Sequence, residues 1–263
     1  MTHIIHPTAI IEGNVHFHEN VEIGPYVVIS GNVEIGDRTV IVAQAHITGN
    51  TKIGKNNKIY PFASIGTAPQ DLKYKGEEVF LEIGDNNTIR EHVTINPGTV
   101  TGNTKTVVGN NCLFMIGAHI AHDCIVGNNV ILANNATLAG HVQVGDHAII
   151  GGLSAIHQFV RIGAYAMVGG MSGIESDVIP YGNAFGERAS LNGLNLVGMK
   201  RRELSRETIH TLRNVFKDIF ESDGKMEEKI KKAKAEYANV NEVNQILEFL
   251  ENAKDRAICK PKN

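Results

Sequence analysis

Four histidines recur at related spacings in the middle of the chain, and they are its clearest candidates for chemistry. His119 and His122 lie in the segment GAHIAHDC, and His141 and His157 follow further along the chain. Near neutral pH an imidazole can accept a proton or bind a metal ion, because its unperturbed pKa is ~6.5. The group therefore predicts either general-base catalysis or a metal site.

This spacing would bring the histidines together if the chain forms coils that each consist of three six-residue repeats. A coil of that length places His122, Gly140 and Gln158 in one column, with His141 and His157 immediately beside the last two. Side chains in neighbouring layers of a stack are within reach of each other, because paired strands lie ~4.8 Å apart. We expect these residues to form one site.

Three interpretations fit such a site. In acyl transfer, one histidine acts as general base on a hydroxyl, which contributes ~10²–10⁴-fold, and the backbone N–H of Gly140 stabilises the oxyanion. The second interpretation is a three-histidine zinc site with an open position, and the third is a scaffold without catalysis. Asp123 follows His122 and could tune its imidazole, but neighbouring side chains at a corner tend to diverge, so we favour the interpretation without such a contact.

The elements that position these histidines are predicted by a regular six-residue repeat. Large aliphatic residues recur at every sixth position, with a small or β-branched residue two positions before most of them. Alternation at i and i−2 is typical of strands whose alternate side chains face inward. Gly, Asn or Asp commonly follows and supplies turn conformations, so each hexad is a short strand and a corner. The large positions are Ile5, Ile11, Phe17, Ile23, Ile29, Ile35, Ile41, Ile47, Ile53, Ile59, Ile65, Ile83, Ile89 and Ile95, then Val108, Phe114, Ile120, Val126, Leu132, Leu138, Val144, Ile150, Ile156, Ile162, Val168 and Ile174.

The repeat is interrupted twice. Residues 66–82 lack the pattern, but Ile65 and Ile83 are separated by three repeat lengths, so we expect this segment to replace most of one coil with a loop. Residues 96–107 shift the phase by one, which indicates a smaller excursion. Loops that leave a regular scaffold often carry function.

After Ile174 the repeat ends, and residues 177–195 read as an irregular passage. Helical periodicity follows, with Ser205 as a candidate N-cap. The three apolar stripes are Ile209, Leu212, Phe216, Ile219 and Phe220, then Ile230, Ala233 and Tyr237, then Val243, Ile246, Leu247 and Leu250. We therefore predict two domains, a repeat domain over residues 1–190 and a helical domain over residues 191–263.

Composition and charge narrow the class of protein. The chain has 27 glycines and no tryptophan, which suits thin stacked layers. Residues 1–187 carry 9 Lys and Arg against 16 Asp and Glu, whereas residues 188–263 carry 16 against 12. A basic tail on an acidic body favours an acidic partner over nucleic acid.

We expect a cytoplasmic protein without a transmembrane segment, since the sequence contains neither a signal-like segment nor an apolar run long enough to span a membrane. Three cysteines without a CxxC motif predict neither disulfides nor a thiolate zinc site.

The repeat resembles the hexapeptide-repeat family, many of whose members are acyltransferases. The resemblance implies a mainly β fold, a left-handed parallel β-helix with triangular coils, followed by a small helical C-terminal domain. Five strings narrow the resemblance to the UDP-N-acetylglucosamine O-acyltransferases, and they run from end to end of the chain. They are PQDLKYKGE (69–77), AHIAHDC (118–124), ILANNATLAGH (131–141), IHQF (156–159) and MKRRE (199–203).

This resemblance implies transfer of an (R)-3-hydroxyacyl chain from acyl carrier protein to the glucosamine 3-hydroxyl of UDP-N-acetylglucosamine, the first step of lipid A synthesis. It further implies a homotrimer with sites between subunits and a mechanism that needs no metal or cofactor. Carried over by motif, His122 is the general base and Gly140 the oxyanion donor. The resemblance implies that the amino sugar is held by two residues from a neighbouring subunit's loop, Asp71 and Lys73. The sugar and the pantetheine are positioned by His119, His141, His157 and Gln158. The UDP moiety is contacted by Asn195, Arg201 and Arg202, and the acyl-chain length is set at Gly170.

The sequence departs from the family pattern at three positions near these motifs. Asn96 replaces a histidine that some relatives carry in TIHRGT-like strings, Val197 replaces a glutamate near the nucleotide, and Arg188 replaces a histidine that closes the acyl pocket in some relatives. The departures leave His122 and Gly140 unchanged.

Overall fold

The computed structural model describes residues 3–253 and 256–262, and short parallel strands dominate it. The strands are β1 (Ile4–Ile5), β2 (Ile10–Phe17), β3 (Glu22–Ile23), β4 (Val28–Ile35), β5 (Val40–Ile41), β6 (His46–Ile47), β7 (Asn50–Ile53), β8 (Lys58–Ile59), β9 (Ser64–Ile65), β10 (Phe80–Ile83), β11 (Thr88–Ile89), β12 (Thr94–Ile95), β13 (Lys105–Val108), β14 (Leu113–Phe114), β15 (His119–Ile120), β16 (Ile125–Val126), β17 (Ile131–Leu132), β18 (Thr137–Leu138), β19 (Gln143–Val144), β20 (Ile149–Ile150), β21 (Ala155–Ile156), β22 (Arg161–Ile162), β23 (Met167–Val168), β24 (Gly173–Ile174), β25 (Gly182–Phe185) and β26 (Ser190–Leu194). The helices are α1 (Leu196–Arg201), α2 (Arg206–Phe220), α3 (Met226–Tyr237) and α4 (Asn241–Glu251).

The strands stack into a parallel β-helix with three faces. Face one contains β7, β10, β13, β16, β19 and β22, face two contains β1, β3, β5, β8, β11, β14, β17, β20 and β23, and face three contains β6, β9, β12, β15, β18, β21 and β24. The longer strands β2 and β4 run around a corner, since β4 pairs with β6 at one end and with β7 at the other. The stacked coils predicted from the repeat, and the parallel β-helix that the family resemblance implies, are confirmed.

The regular register between coils is three hexads, as in the pairing of His119 with Thr137. The inward positions form a continuous core, in which Ile29, Ile65 and Leu132 are fully buried. In the N-terminal coil Ile5 remains 42% exposed, because only one neighbouring coil packs against it. The six-residue alternation therefore predicted both the coil length and the buried face.

The first excursion, which interrupts the repeat at residues 66–82, is built differently from what the sequence predicts. Ile83 pairs with Ile53, 30 positions earlier, instead of following Ile65 around a shortened coil. The coil that ends at Ile65 is complete, and residues 66–79 are added to it as a loop at the corner between faces three and one. The expectation that this segment replaces most of a coil is wrong: the register of 30 exceeds the regular 18 by 12 positions, which is two hexads, so the loop leaves the six-residue phase unchanged. The second excursion stretches the register to 25 positions, from Thr94 to His119, as its phase shift predicted.

The C-terminal part is joined to the coils by strand pairing and by the end of the chain. The passage expected to be irregular forms β25 and β26, which pair antiparallel across the proposed boundary at residue 190. Ser205 caps α2 by accepting a hydrogen bond from the Thr208 N–H at 3.0 Å, as predicted. The tail returns to the coils, where Ile258 bridges to Asp177. In the described part of the chain, no helix is long and apolar enough to cross a membrane.

Candidate active site

The corner between faces three and one, which we call the histidine corner, collects most of the predicted site residues. It contains residues 121–124, 139–142 and 157–160 of three successive coils. The His141 N–H donates to the His122 carbonyl at 3.0 Å, and the Phe159 N–H donates to the Gly140 carbonyl at 3.1 Å. These bonds hold the successive layers in register, so the column predicted from a coil of three hexads exists.

His122 is oriented by a carboxylate on one side and packs against a glycine on the other. Its Nδ1 lies 2.8 Å from Asp123 Oδ2, so the proton of the neutral ring is on Nδ1 and Nε2 is a free acceptor. A Cβ added to Gly140 would lie 2.5 Å from His122 Cε1 and 2.7 Å from Nε2. Gly140 therefore leaves the space that the imidazole occupies.

The contact between His122 and Asp123 contradicts the expectation that their side chains diverge. Asp123 has φ of +61°, a left-handed conformation that turns its side chain back towards its neighbour. The carboxylate is 1% exposed and accepts hydrogen bonds from Thr99 Oγ1 at 2.7 Å, the Thr99 N–H at 3.0 Å and the Asn103 N–H at 2.7 Å. Burial alone would raise the pKa of this carboxyl, but the bonds from His122, Thr99 and Asn103 outweigh burial and lower it to about 2.

Thr99 and Asn103 belong to the second excursion, so that loop is more than a surface insertion. It wraps over the Asp123 carboxylate so closely that a Cβ on Gly102 would clash with Asp123 Cγ. The loop keeps the carboxylate dry and ionised beside His122. The phase shift indicated the loop, but no pattern in the sequence indicated its target.

Two further imidazoles flank His122. The His141 ring is perpendicular to it at 5.1 Å and stacks on Phe159 at 4.4 Å. His119 Nδ1 lies 2.6 Å from Thr94 Oγ1. Burial lowers the pKa of His119, assisted by the charge of His122. Burial also lowers the pKa of His141, against the opposing charge of Asp123. Both rings are therefore neutral near pH 7 and can exchange hydrogen bonds with a polar substrate.

The first excursion reaches this corner within the same chain. Its base is held by Asn96, whose Nδ2 donates to the Thr67 and Ala68 carbonyls at 3.0 and 3.3 Å. Asp71 Oδ1 accepts from the Lys73 N–H at 2.9 Å, which closes a turn at the tip. The Asp71 carboxylate lies near enough to His141 to oppose the lowering of its pKa. The charge of Asp71 thus acts on His141 of its own chain, and the role that the family resemblance implies for a neighbouring subunit's loop stays a prediction.

His157 and Gln158 continue the column and are exposed. Arg256, from the returning tail, contacts both: its Nη2 lies 2.7 Å from His157 Nδ1, and its Nε donates to the Gln158 carbonyl at 3.0 Å. Arg256 could not be predicted as a site residue, because a contact across 98 positions leaves no local signal in the sequence.

The other predicted residues lie at the remaining two corners. Gly170 follows β23 and precedes β24, which places it between faces two and three. Asn195 caps α1 through the Gly198 N–H at 2.9 Å. Arg201 and Arg202 line a cleft of about 760 Å³. His147 lines the same cleft, at the corner between faces one and two. A single chain therefore does not bring Gly170, Arg201 and Arg202 to His122.

The histidine corner also contains a possible cation site. Ligand atoms of His122, Asp123 and His141 all lie within 4.8 Å of one another. Two imidazoles and a carboxylate are ligands that zinc accepts. The set differs from the three histidines considered from the sequence, because a carboxylate takes the place of one imidazole.

Comparisons with known proteins agree with this architecture. A family model described as UDP-N-acetylglucosamine O-acyltransferase, domain 2, matches residues 177–259, and bacterial transferase hexapeptide repeats match residues 14–49 and 105–140. The acyl-[acyl-carrier-protein]--UDP-N-acetylglucosamine O-acyltransferase of Trichlorobacter lovleyi is 56% identical over 97% of this chain and 99% of its own. The enzyme of the same name from Rickettsia canadensis is 52% identical over 97% of both chains.

Solved structures give the same result. LpxA from Acinetobacter baumannii matches with a TM-score of 0.94 and 45% identity, over 97% of this chain and 99% of its own. UDP-N-acetylglucosamine acyltransferase from Campylobacter jejuni matches with a TM-score of 0.92 and 40% identity, over 98% and 100%. Fold, repeat and full-length similarity agree, and the chain is an O-acyltransferase that belongs to the acyl-[acyl-carrier-protein]--UDP-N-acetylglucosamine O-acyltransferase family.

Proposed function

We propose that this protein transfers an (R)-3-hydroxyacyl chain from acyl carrier protein to the 3-hydroxyl of the glucosamine in UDP-N-acetylglucosamine, as the first step of lipid A biosynthesis. The names of the relatives support both substrates. One observation carries the mechanism: His122 is hydrogen-bonded to the buried Asp123 at 2.8 Å and packs against Gly140. A location in the cytoplasm remains a prediction.

His122 Nε2 removes the proton of the sugar hydroxyl while that oxygen attacks the thioester carbonyl carbon. The Gly140 N–H stabilises the resulting oxyanion, since it donates to no other backbone carbonyl among the described residues. When the intermediate collapses, the C–S bond breaks and the imidazolium gives its proton to the leaving thiolate. Asp123 remains ionised throughout and stabilises the imidazolium. No step requires a metal or another cofactor.

The residues around the base hold the sugar and the pantetheine arm. Asp71 and Lys73 bind the amino sugar from the loop, and His119 and His141 accept or donate hydrogen bonds as neutral rings. The lowered pKa values of both histidines support this role, because a cluster of charged imidazoles would repel the protonated base. His157 and Gln158 contact the pantetheine at the exposed end of the column.

The UDP moiety binds in the cleft that Asn195, Arg201 and Arg202 line. An arginine is permanently charged and can bind a diphosphate through two parallel hydrogen bonds. A volume of about 760 Å³ suits a nucleotide.

The protein acts as a homotrimer with its sites between subunits. The position of the predicted residues at different corners of one prism supports this assembly, since one chain alone cannot surround a single substrate with all of them. Gly170 of the acyl pocket admits a longer chain because it has no side chain.

The proposal is tested by incubating the protein with UDP-N-acetylglucosamine and a series of 3-hydroxyacyl carrier proteins, then locating the new ester. His122→Ala should abolish ester formation while size-exclusion chromatography and circular dichroism stay unchanged. His18→Ala is a matched control, because His18 pairs with Glu34 on another part of the coils. Full activity of the His122 variant would exclude His122 as the base, and the absence of an ester at the 3-hydroxyl with every donor would exclude the reaction.

A further inference from the structure

A column of stacked aromatic rings runs along the corner between faces one and two. His147, Tyr165 and Tyr181 each occupy the left-handed position of their coil, with φ of +62°, +63° and +60°. The His147 and Tyr165 rings stack at 4.9 Å and 15°, and Tyr165 and Tyr181 stack at 4.9 Å and 3°. The Tyr181 hydroxyl donates to Gln245 Oε1 on α4 at 2.8 Å. The column is therefore fixed at its C-terminal end.

The exposed end of this column holds Arg202. Its guanidinium lies over the Tyr165 ring at 4.9 Å, and Nη1 lies 2.5 Å from His147 Nδ1. Because a guanidinium only donates, Nδ1 of His147 must be the unprotonated nitrogen. Burial, followed by the charge of Arg202, lowers the pKa of His147, which keeps the ring neutral and able to accept.

The neighbouring Arg201 lines the same cleft but is not restrained in this way. Within residues 3–253 and 256–262, no hydrogen bond or ion pair engages its side chain, which is exposed. An arginine side chain loses much rotamer freedom when a ligand immobilises it. Arg202 has already lost that freedom through contacts with His147 and Tyr165, whereas Arg201 has not.

We propose that His147 is a positioning residue, which holds Arg202 in the wall of the cleft ready to bind the diphosphate of a nucleoside diphosphate sugar. The inference rests on the proposed function for the identity of the ligand. It assigns the two arginines different parts: Arg202 is a preorganised contact, and Arg201 is a mobile one. His147 also lines the cleft, and the inference assigns its effect on binding to its contact with Arg202.

Two substitutions separate the hydrogen bond from the ring stacking. His147→Phe keeps a ring on Tyr165 but loses the side-chain acceptor, so that only the longer bond from Arg202 Nη2 to the backbone carbonyl of residue 147, at 3.4 Å, remains. His147→Asn has no ring, but its Oδ1 lies near the position of Nδ1, and asparagine tolerates the left-handed backbone. We expect His147→Phe to weaken binding of UDP, measured by calorimetry on the full chain, by about tenfold. His147→Asn should restore most of the affinity.

The dependence on Arg202 is tested by a double-mutant cycle. In an Arg202→Ala background, His147→Phe should cause no further loss of UDP affinity. In turnover, His147→Phe should raise KM for UDP-N-acetylglucosamine while kcat changes by less than about twofold. His92→Phe is the matched control, since His92 also has a positive φ and stacks on an aromatic ring, Phe62, at another corner. Its UDP affinity should equal that of the wild type.

Three outcomes would each overturn the inference. They are unchanged UDP affinity in His147→Phe, an equal loss of affinity in His147→Phe and His147→Asn, and an undiminished loss when His147→Phe is added to Arg202→Ala. Because UDP binding is measured without turnover, these outcomes are distinct from a failure of acyl transfer, which would instead appear as the absence of ester in the wild-type protein.

Discussion

Replacing Asp123 with asparagine tests how the buried carboxylate supports His122. The side chain keeps its shape but loses its charge, and its amide would face donors from Thr99, Asn103 and His122 that now bind a carboxylate. The ring of His122 is then no longer held with its proton on Nδ1, and the imidazolium formed during the reaction loses its counter-charge. We expect kcat to fall by about 10²–10⁴-fold, the range of general-base catalysis.

The same substitution should change the pH dependence of stability. The pKa of Asp123 is lowered from 3.8 to about 2 in the folded chain, which corresponds to about 2 kcal/mol. Because the folded-state pKa lies below the unfolded value, this stabilisation is present above pH ~4 and is lost as the pH falls towards 2. Asp123→Asn should lack this contribution, so its unfolding free energy should depend less on pH below 4.

The assay is acyl transfer at saturating substrates, together with thermal unfolding at pH 7 and pH 3. Asp85→Asn is the matched control, because Asp85 also accepts a backbone hydrogen bond at a corner, from the Lys55 N–H at 2.7 Å, but far from the histidines. A kcat for Asp123→Asn within about threefold of the control would refute the argument that the carboxylate supports the base.

Three further outcomes are expected. Gly140→Ala should reduce kcat by about 10²-fold or more, because its Cβ would lie 2.5 Å from the His122 ring and displace it. Since the ring can rotate away, the melting temperature should change little. A fully active variant would show that His122 does not need the space beside Gly140. Gly170→Met should shift the preference towards shorter acyl chains in a competition assay with donors of different length, whereas an unchanged profile would remove Gly170 from the acyl pocket. Treatment with a chelator should leave turnover unchanged, since the proposed mechanism uses His122, Asp123 and His141 without an ion; loss of turnover that zinc restores would favour a metal at these residues.

The coils were predictable because each hexad repeats the same local requirement. An inward aliphatic residue, a small residue two positions before it and a turn-forming residue after it are all read from neighbouring positions. The column of His122, Gly140 and Gln158 follows by arithmetic once each coil consists of three hexads. The helices were predictable for the same reason, as the Ser205 cap and the apolar stripe of α2 illustrate.

The contacts of inserted and returning segments were not predictable. Nothing in the length of residues 66–82 distinguishes an added loop from a missing coil, and only the pairing of Ile83 with Ile53 decides between them. Three other contacts join positions that are distant in the sequence. The second excursion buries Asp123, the tail brings Arg256 to His157, and Arg202 bonds to His147.

The sequence by itself therefore determined the repeat, the buried ladder and the corner at which His122 and Gly140 meet. Tertiary structure alone decided which carboxylate orients the base and which of the two arginines is held in place. The physical reason is that a repeat imposes its period on every coil, whereas a loop or a tail is placed by the surfaces on which it packs, and those surfaces exist only after the coils have stacked.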